Sequence, residues 1–320
     1  MIGSFIRKNK LALSFFQEVK CLLVGMKARQ FEPRYYPKAE EVMHITRGQA
    51  KSHHPIPKLV WVYWENEQMP IYIGQIMEHN KKVNPEYEFR LLNKDTYRSY
   101  LPDIVFEDNM PVANKTDVIR LELLYRYGGI WMDATIILRD SLDWIHETNK
   151  DNQNELIGFY RDNDTVDYTY PVVETYFMAA PMKSLFVKHW IELFGGITEM
   201  GSERFYKSLL KRPDFEEIRQ HIPNPSYLLV YLAGQAACRE YPDYHIYLKK
   251  AEDSALFLQE CYRNNYMMNY AICRMKNPMH HLPIIKLCSG DRMFVHVFQK
   301  LGLVKKNSLI GFFTNTQNIA

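Results

Sequence analysis

The feature that most constrains this chain is a helix that runs directly into a strand. Residues 117–127 are apolar around most of the helical circumference, which predicts a buried helix. Gly128 and Gly129 follow, and glycine readily adopts the positive φ that ends a helix. Residues 130–138 then predict a strand that runs through Asp133, its one charged residue. A buried helix and a buried strand need covering layers on both sides, so the segment favours an α/β fold.

The residues before this segment alternate between strand and helix. Strands are predicted at 58–64 and 87–92, and helices at 71–82 and near Thr96. This rhythm favours a mainly parallel sheet covered by helices. Further elements are predicted downstream: strands at 156–160 and 176–180, and a helix at 185–194.

Composition and charge exclude several classes of function. With 320 residues, 47% of them hydrophobic, the chain can bury one large core or two joined ones. The net charge is +3, and the basic residues concentrate near the N-terminus without forming a stripe along the body, so nucleic acid is not an expected partner. Five cysteines without a CxxC pair indicate neither a disulfide framework nor a zinc site, and a reducing, cytoplasmic setting is expected.

The N-terminal residues predict a basic helical segment, 1–54, ahead of one large domain, 55–320. No run approaches the roughly 20 apolar residues that span a bilayer, and no export signal is recognisable. Residues 11–29 place apolar side chains on one helical face beside Lys and Arg. Two interpretations stay open: a helix packed on its own domain, or peripheral contact of residues 1–30 with the anionic inner face of the cell membrane. Residues 32–57 predict a connector or irregular helix.

Three charged residues stand out in the helix–strand segment. Asp133 interrupts an apolar run, and a buried carboxylate must be paired, coordinated or exposed at a sheet edge to offset its desolvation. Ligands of open α/β sheets bind beyond the carboxyl ends of strands, where a residue closing the run 130–132 would lie. Asp117 and Arg120 share one helical face and are expected to face the same crevice. A structural Asp held by backbone amides and a structural ion pair remain the alternatives.

Three stretches carry a family resemblance: IPKLVWVYW, NPEYEFRLLN and NKTDVIRLELLYRYGGIWMDATIIL. They resemble the capsular polysaccharide synthesis protein family, which is related to DXD-containing sugar transferases such as yeast mannosyltransferases, α-galactosyltransferases and the glucosylating clostridial toxins. The resemblance covers residues 55–145 and is weaker at 172–180 and 282–287. It implies a GT-A fold, a Rossmann-like α/β domain that binds a UDP- or GDP-sugar, with additional helices at the N-terminus and in the C-terminal half.

The resemblance also implies roles for individual residues. Trp64 is similar to the tryptophan that stacks on the nucleotide base, and Asp133 to the first Asp of the DXD motif. The implied donor-binding residues are Trp64, Asp117, Arg120, Gly129, Asp133, Thr135 and Lys286. The implied catalytic residues are Asp117, Arg120, Asp133 and Glu174. Glu174 is expected to contact the acceptor or the oxocarbenium-like centre, and a carboxylate that lines the core is the equal alternative.

Thr135 stands where the DXD motif has its second Asp. In that motif the second carboxylate binds Mn²⁺ or Mg²⁺, which neutralises the leaving diphosphate, and a Thr hydroxyl is a much weaker ligand. The resemblance implies a divalent cation, Mn or Mg, which would need another carboxylate besides Asp133. Asp291 is the candidate by its position near the C-terminus.

Two further motifs are predicted to be functionally silent. A literal Asp-x-Asp at 162–164 has polar neighbours and no Gly-Gly lead-in, which predicts a surface turn. The pairs His53–His54 and His280–His281 lack a spaced partner, so a metal site is not expected at either.

The function that the resemblance implies is transfer of a sugar from a nucleotide-sugar donor, with retention of configuration. The acceptor would be a growing glycan or lipid-linked glycan in bacterial capsular or other surface polysaccharide synthesis. Two other classes stay open: a non-catalytic sugar or nucleotide binder that keeps the fold, and a membrane-associated component of a polysaccharide assembly complex.

Overall fold

The computed structural model describes residues 41–49, 53–107, 109–262, 264–276 and 282–314, with Phe16, Val19, Lys20, Leu22 and Leu23. The strands are β1 (Val42–Arg47), β2 (Leu59–Tyr63), β3 (Glu88–Leu92), β4 (Gly129–Met132), β5 (Ile136–Leu138), β6 (Leu156–Tyr160), β7 (Val173–Ala180), β8 (Tyr244–Lys250) and β9 (Ile284–Lys286). The helices are α1 (Ile71–Val83), α2 (Val112–Tyr127), α3 (Asp143–Thr148), α4 (Leu185–Phe194), α5 (Gly196–Leu209), α6 (Phe215–Arg219), α7 (Leu229–Glu240), α8 (Phe257–Cys261), α9 (Asn265–Arg274), α10 (Val295–Lys300) and α11 (Leu309–Thr314), with 3-10 helices at Thr96–Ser99 and Gly290–Arg292.

Seven strands form one sheet in the order β1-β8-β6-β7-β4-β2-β3, and β5 pairs with β9 in a separate small sheet. The predicted α/β class is confirmed. Strands β3, β2 and β4 are parallel, as the strand–helix rhythm predicts. Beyond them β7 runs antiparallel to both β4 and β6, so the sheet as a whole is mixed. β6 and β8 are parallel neighbours again, and β1 closes the far edge antiparallel to β8.

The direction in which successive parallel strands are added to the sheet reverses between β2 and β4. After β2 the chain passes through α1 to β3 on one side, and α2 then leads to β4 on the other side. The two helices cover opposite faces, because Ile73 of α1 packs in the same core cluster as Val62, whereas Leu123 of α2 packs with Trp61. At such a reversal the carboxyl ends of adjacent strands open a crevice where ligands bind.

The junction between α2 and β4 requires two glycines. Gly128 has a φ of 66° and Gly129 a φ of 98°, which side chains other than glycine rarely adopt. A Cβ on Gly129 would lie 2.5 Å from the carbonyl oxygen of Leu59 on the neighbouring strand. The glycines therefore let α2 end and β4 pair with β2 within one residue, which fixes where β4 terminates.

The strand predicted across 130–138 is broken at Asp133. The amide of Asp133 still donates to the Tyr176 carbonyl of β7 at 2.9 Å, but the amide of Ile136 donates to the Asp133 carbonyl at 3.0 Å and closes a turn. β5 therefore leaves the main sheet and pairs with β9, Ile136 opposite Lys286. The prediction of one continuous strand was wrong, because its apolar pattern is the same for one strand and for two strands in different sheets.

The predicted N-terminal segment contains a strand that the sequence did not indicate. Residues 42–47, expected in a connector, form β1, which pairs antiparallel with β8 at the edge of the main sheet. Within the predicted basic helix, the Lys20 ammonium lies 4.6 Å from the Tyr266 ring centroid and Leu22 packs against the core. Most of residues 11–29 lie outside the described residues.

Among the residues that the structure describes, no helix is both long and apolar enough to cross a membrane.

Candidate active site

A cleft of about 620 Å³ opens at the carboxyl ends of β2 and β4. Its volume lies in the range of small-ligand sites, roughly 300–1,000 Å³. Most of the predicted site residues line it: Trp64, Asp117, Arg120, Asp133, Thr135, Glu174 and Lys286. The reversal in strand order thus brings together side chains from across the chain.

One end of the cleft holds the Asp133 cluster, formed by Asp117, Arg120, Asp133 and Lys286. The Arg120 guanidinium donates to Asp117 at 2.8 Å and to Asp133 at 3.2 Å, and it also donates to the Thr175 hydroxyl. The Lys286 ammonium donates to the other oxygen of Asp133 at 2.5 Å. The prediction that Asp117, Arg120 and Asp133 face one crevice is met by this geometry.

The pKa values of the two carboxyls in the cluster are shifted in opposite directions. Burial acts to raise the pKa of Asp133, but the charges of Lys286 and Arg120 outweigh it and hold that pKa below its usual range. Burial raises the pKa of Asp117 to about 7, since Arg120 offsets only part of the desolvation and the charge of Asp133 adds to it. Asp133 is therefore the permanently charged carboxylate of this end.

Both oxygens of Asp133 are engaged. Trp131 donates its indole N–H to Oδ1 at 3.1 Å, on the same oxygen that Arg120 contacts, while Lys286 contacts Oδ2. The Lys286 ammonium also donates to the Thr135 hydroxyl at 3.0 Å. A lysine thus connects the two residues that stand at the DXD positions.

The residues present do not fit the expected divalent cation. Asp291 does not line the cleft: its Oδ2 accepts from the Gln259 amide at 2.7 Å and from the Cys288 backbone N–H at 2.6 Å. Across the described parts of the chain, no group of three or more His, Cys, Asp or Glu side chains is placed to hold a metal ion. The prediction of Asp291 as a metal ligand is corrected to a structural role, because its carboxylate holds its own turn.

Gly129 is also outside the cleft. It begins β4, whereas Asp133 follows the end of that strand, and its missing side chain makes room for the backbone of Leu59. Its predicted donor-binding role becomes a packing role.

A second part of the cleft, called the Glu174 end, holds the Glu174 cluster, formed by Arg161, Asp164, Glu174, Tyr231 and Glu252. All of these except Glu252 line the cleft. Arg161 nitrogens lie 3.8 Å from Glu174, 3.8 Å from Asp164 and 3.3 Å from Glu252. The Tyr231 hydroxyl donates to Glu174 at 2.6 Å. Burial raises the pKa of Glu174 to about 7 and that of Asp164 to about 6, with Arg161 offsetting part of the effect.

The sequence-based view of residues 162–164 as a surface turn is half right. They form a turn, but Asp164 and the adjacent Arg161 line the cleft. The backbone amides of Asp162 and Asn163 both donate to the Glu252 carboxylate at 3.1 Å, which anchors the turn from inside. That anchor lies about 90 residues further along the chain, so the local polar composition carries no sign of it.

The sequence profile of the capsular polysaccharide synthesis protein family matches residues 28–195. The chain belongs to this family. The match includes both carboxylates of the Asp133 cluster together with Glu174 and Arg161, whereas Lys286 lies outside it. The family assignment therefore covers β2, α2 and β4, the elements that position the Asp133 end of the cleft.

Curated relatives of this family member are fungal. The O-glycosyltransferase braB of Annulohypoxylon truncatum is 28% identical over 169 residues, 45% of this chain and 39% of its own length. The glycosyltransferase afumC of Aspergillus fumigatus is 23% identical over 228 residues, 63% of this chain and 58% of its own length. The chain thus spans about two fifths to three fifths of these relatives. A solved structure, PaToxG Glycosyltransferase, aligns over 72% of this chain and 90% of its own length at 14% identity. The TM-score of 0.34 is too low to support a structural comparison.

Two side chains that sequence reasoning missed complete the wall of the cleft in this family member. The Arg292 guanidinium lies 5.7 Å from the ring centroid of half-buried Trp64, so a cation and an aromatic face share the rim. Tyr227 lines the opposite side and is 61% exposed. Arg292 was overlooked because it follows the turn of Asp291, and only the tertiary fold brings that turn to β2.

Proposed function

We propose that this protein transfers a sugar from a nucleotide-sugar donor to a hydroxyl-bearing acceptor. The observation that carries the proposal is the Asp133 cluster, a carboxylate held between two cations at the strand-order reversal where α/β folds bind nucleotides. Its neighbour Trp64 offers an aromatic face at the end of β2. The curated relatives, both named glycosyltransferases, support the same reaction class.

The donor is assigned to the Asp133 end. We infer that Trp64 stacks on the base of a UDP- or GDP-sugar, since bases stack readily on aromatic rings. Asp117 accepts from hydroxyls of the transferred sugar while Arg120 holds that carboxylate in place. Lys286 and Arg292 supply positive charge for the diphosphate.

The acceptor is assigned to the Glu174 end. Asp164 and Glu174, the two carboxylates beside Arg161 that line the cleft, provide oxygens that accept hydrogen bonds from sugar hydroxyls. Tyr176 lines the same cleft, and its buried hydroxyl has no hydrogen-bond partner among the described residues. A growing glycan or lipid-linked glycan of a surface polysaccharide is the acceptor that we propose.

We propose a chemical step with retention of configuration, as the family resemblance implies. The bond between the anomeric carbon and the diphosphate oxygen breaks, and the electron pair leaves with the diphosphate. A bond forms between the anomeric carbon and the acceptor oxygen on the same face, and the acceptor proton passes to the departing diphosphate, so configuration is retained. Positioning and stabilisation of the leaving charge provide the catalysis without a strong nucleophile.

The test is product formation with a panel of UDP- and GDP-sugars and simple glycoside acceptors, followed by mass spectrometry. Transfer or hydrolysis of at least one donor by the folded protein is expected, and Asp133→Asn should lower its rate strongly. A folded protein that binds a nucleotide sugar but turns over none of the panel would favour the non-catalytic binder, for which Thr135 in the DXD position is the motivating observation.

A further inference from the structure

We propose that Lys286 takes the place of a divalent cation at the donor site, so that binding of the donor's diphosphate needs no metal. This inference rests on the proposed function. It answers the mismatch between the residues of the Asp133 cluster and the metal that the DXD motif holds in related enzymes.

The first argument is position. The Lys286 ammonium donates to Asp133 at 2.5 Å and to Thr135 at 3.0 Å, and these residues stand at the first and last positions of the DXD-like motif. Thr135 stands at the position whose carboxylate would hold a metal ion in the DXD motif. The Lys286 side chain is 10% exposed, so the ammonium is enclosed by the cleft and does not extend into solvent.

The second argument is that the backbone fixes Lys286 at this place. Lys286 pairs with Ile136 in the β5–β9 sheet, directly after Thr135. Its amide donates to the Ala255 carbonyl at 2.7 Å, and its carbonyl accepts from Gln259 at 2.8 Å. The amide of Leu287 donates to the Thr135 carbonyl at 3.2 Å. The break in the strand after Asp133 therefore serves to bring β9, and with it the lysine, against the motif.

The third argument is charge. Two carboxylates match a divalent cation, whereas one carboxylate and one neutral hydroxyl match a single positive charge. Asp133 and Thr135 form the second kind of pair. Lys286 contacts both and provides that charge, while Arg120 contacts the other oxygen of Asp133. An ammonium has three N–H donors, of which two are engaged by these residues. The third is available to a phosphate oxygen, and Lys286 then neutralises the charge that the diphosphate gains as it leaves.

The direct test is the affinity of UDP and GDP, measured by titration calorimetry on protein exhaustively treated with EDTA and again with added Mn²⁺. For the nucleotide that binds, the two dissociation constants are expected to agree within about twofold. Lys286→Met is expected to weaken binding roughly tenfold or more in both buffers, the usual size of a lost charge-assisted hydrogen bond. Lys207→Met, which removes an exposed lysine paired with Glu203 on α5, is the matched control and should bind like the wild type.

A double variant tests the same inference by introducing a dependence of binding on Mn²⁺. Thr135→Asp combined with Lys286→Met restores two carboxylates and removes the ammonium, so binding is expected to improve at least about tenfold on addition of Mn²⁺. Thermal unfolding identifies a variant that fails to fold. The comparison of the wild type in the two buffers tests the need for a metal without any variant.

The failures are distinguishable. Wild-type binding that requires Mn²⁺ overturns this inference and leaves the proposed function intact. A double variant that binds as tightly as the wild type in EDTA also overturns it, because Lys286 would then contribute nothing. Absence of binding of either nucleotide in both buffers overturns the inference together with the proposed function.

Discussion

The two ends of the cleft are electrostatic opposites. In the Asp133 cluster a carboxylate lies between Arg120 and Lys286, and their charges hold its pKa low. In the Glu174 cluster a cation, Arg161, lies among three carboxylates. Cations at one end suit a diphosphate, and carboxylates at the other suit neutral hydroxyls.

Under the proposed function, this difference explains how one cleft can bind a donor and an acceptor in a single orientation. A nucleotide diphosphate is repelled by the surplus of carboxylates around Arg161 and attracted by Lys286 and Arg292, so its orientation is set by charge. An uncharged acceptor hydroxyl experiences no such preference and takes the remaining end. Substitutions at the two ends are therefore expected to affect different substrates.

The largest effect is expected from Asp133→Asn. The change keeps the shape but leaves Arg120 and Lys286 without their shared counter-charge. We expect kcat/KM to fall by roughly 10²–10³-fold, the usual loss for a preorganised polar group at the reacting centre. Asp103→Asn, at a largely exposed carboxylate paired with Arg126, is the control. Turnover of Asp133→Asn equal to that of this control would refute the site assignment.

The next-largest effect is expected on the pH dependence of stability, because the pKa of Glu174 is raised whereas that of Asp133 is lowered. Burial raises the pKa of Glu174 from its ordinary 4.5 to about 7. Between these values the folded protein binds more protons than the unfolded chain, so its free energy of unfolding falls as the pH rises through this window. Glu174→Gln should reduce that fall between pH 5 and pH 8 by on the order of 1–3 kcal/mol in urea unfolding. Parallel curves for wild type and variant would show that Glu174 is charged at all these pH values.

Trp64→Ala tests the donor end without altering its charge. Loss of base stacking, worth about 1–3 kcal/mol per base, is expected to raise the donor KM roughly tenfold while the acceptor KM stays unchanged. Steady-state kinetics with each substrate varied in turn measures both. A change confined to the acceptor KM would reverse our assignment of the two ends. Since Trp64 packs against the core, a thermal melt accompanies the kinetics.

The smallest effect is expected from Tyr231→Phe. It removes the hydroxyl that donates to Glu174 at 2.6 Å, a bond that lowers the pKa of that carboxyl. We expect a loss of about 1 kcal/mol in the free energy of unfolding. The affinity for UDP or GDP should be unchanged, since the Tyr231 hydroxyl donates to Glu174 and not to a member of the Asp133 cluster. Weakened nucleotide binding in this variant would mean that the two ends are not separate sites.

The Asp133 cluster could be predicted largely from sequence, because its key residues are close along the chain. Asp117 and Arg120 share a helical face, and the two glycines tie that helix to the strand that ends at Asp133. Local periodicity and turn chemistry determine such an arrangement. Lys286 could not be placed this way, since the β5–β9 pairing that brings it to Asp133 joins residues about 150 apart.

The Glu174 cluster shows the limit of the same reasoning. Its members come from β7, from the loop after β6, from α7 and from the residues after β8, and nothing in their local sequence marks them as neighbours. Glu174 was predicted as a site residue only from the family resemblance. Asp291 shows a second limit: it was predicted as a metal ligand from its position near the C-terminus, but its carboxylate accepts hydrogen bonds from Gln259 and the Cys288 amide. Side-chain direction depends on such contacts and not on sequence position.

A structure of the protein with UDP or GDP bound, whichever binds more tightly, tests the central claim most directly. The account predicts the base against the Trp64 ring and a diphosphate oxygen within hydrogen-bonding distance of the Lys286 ammonium. A nucleotide bound among Arg161, Asp164 and Glu174, or outside the cleft altogether, would contradict it.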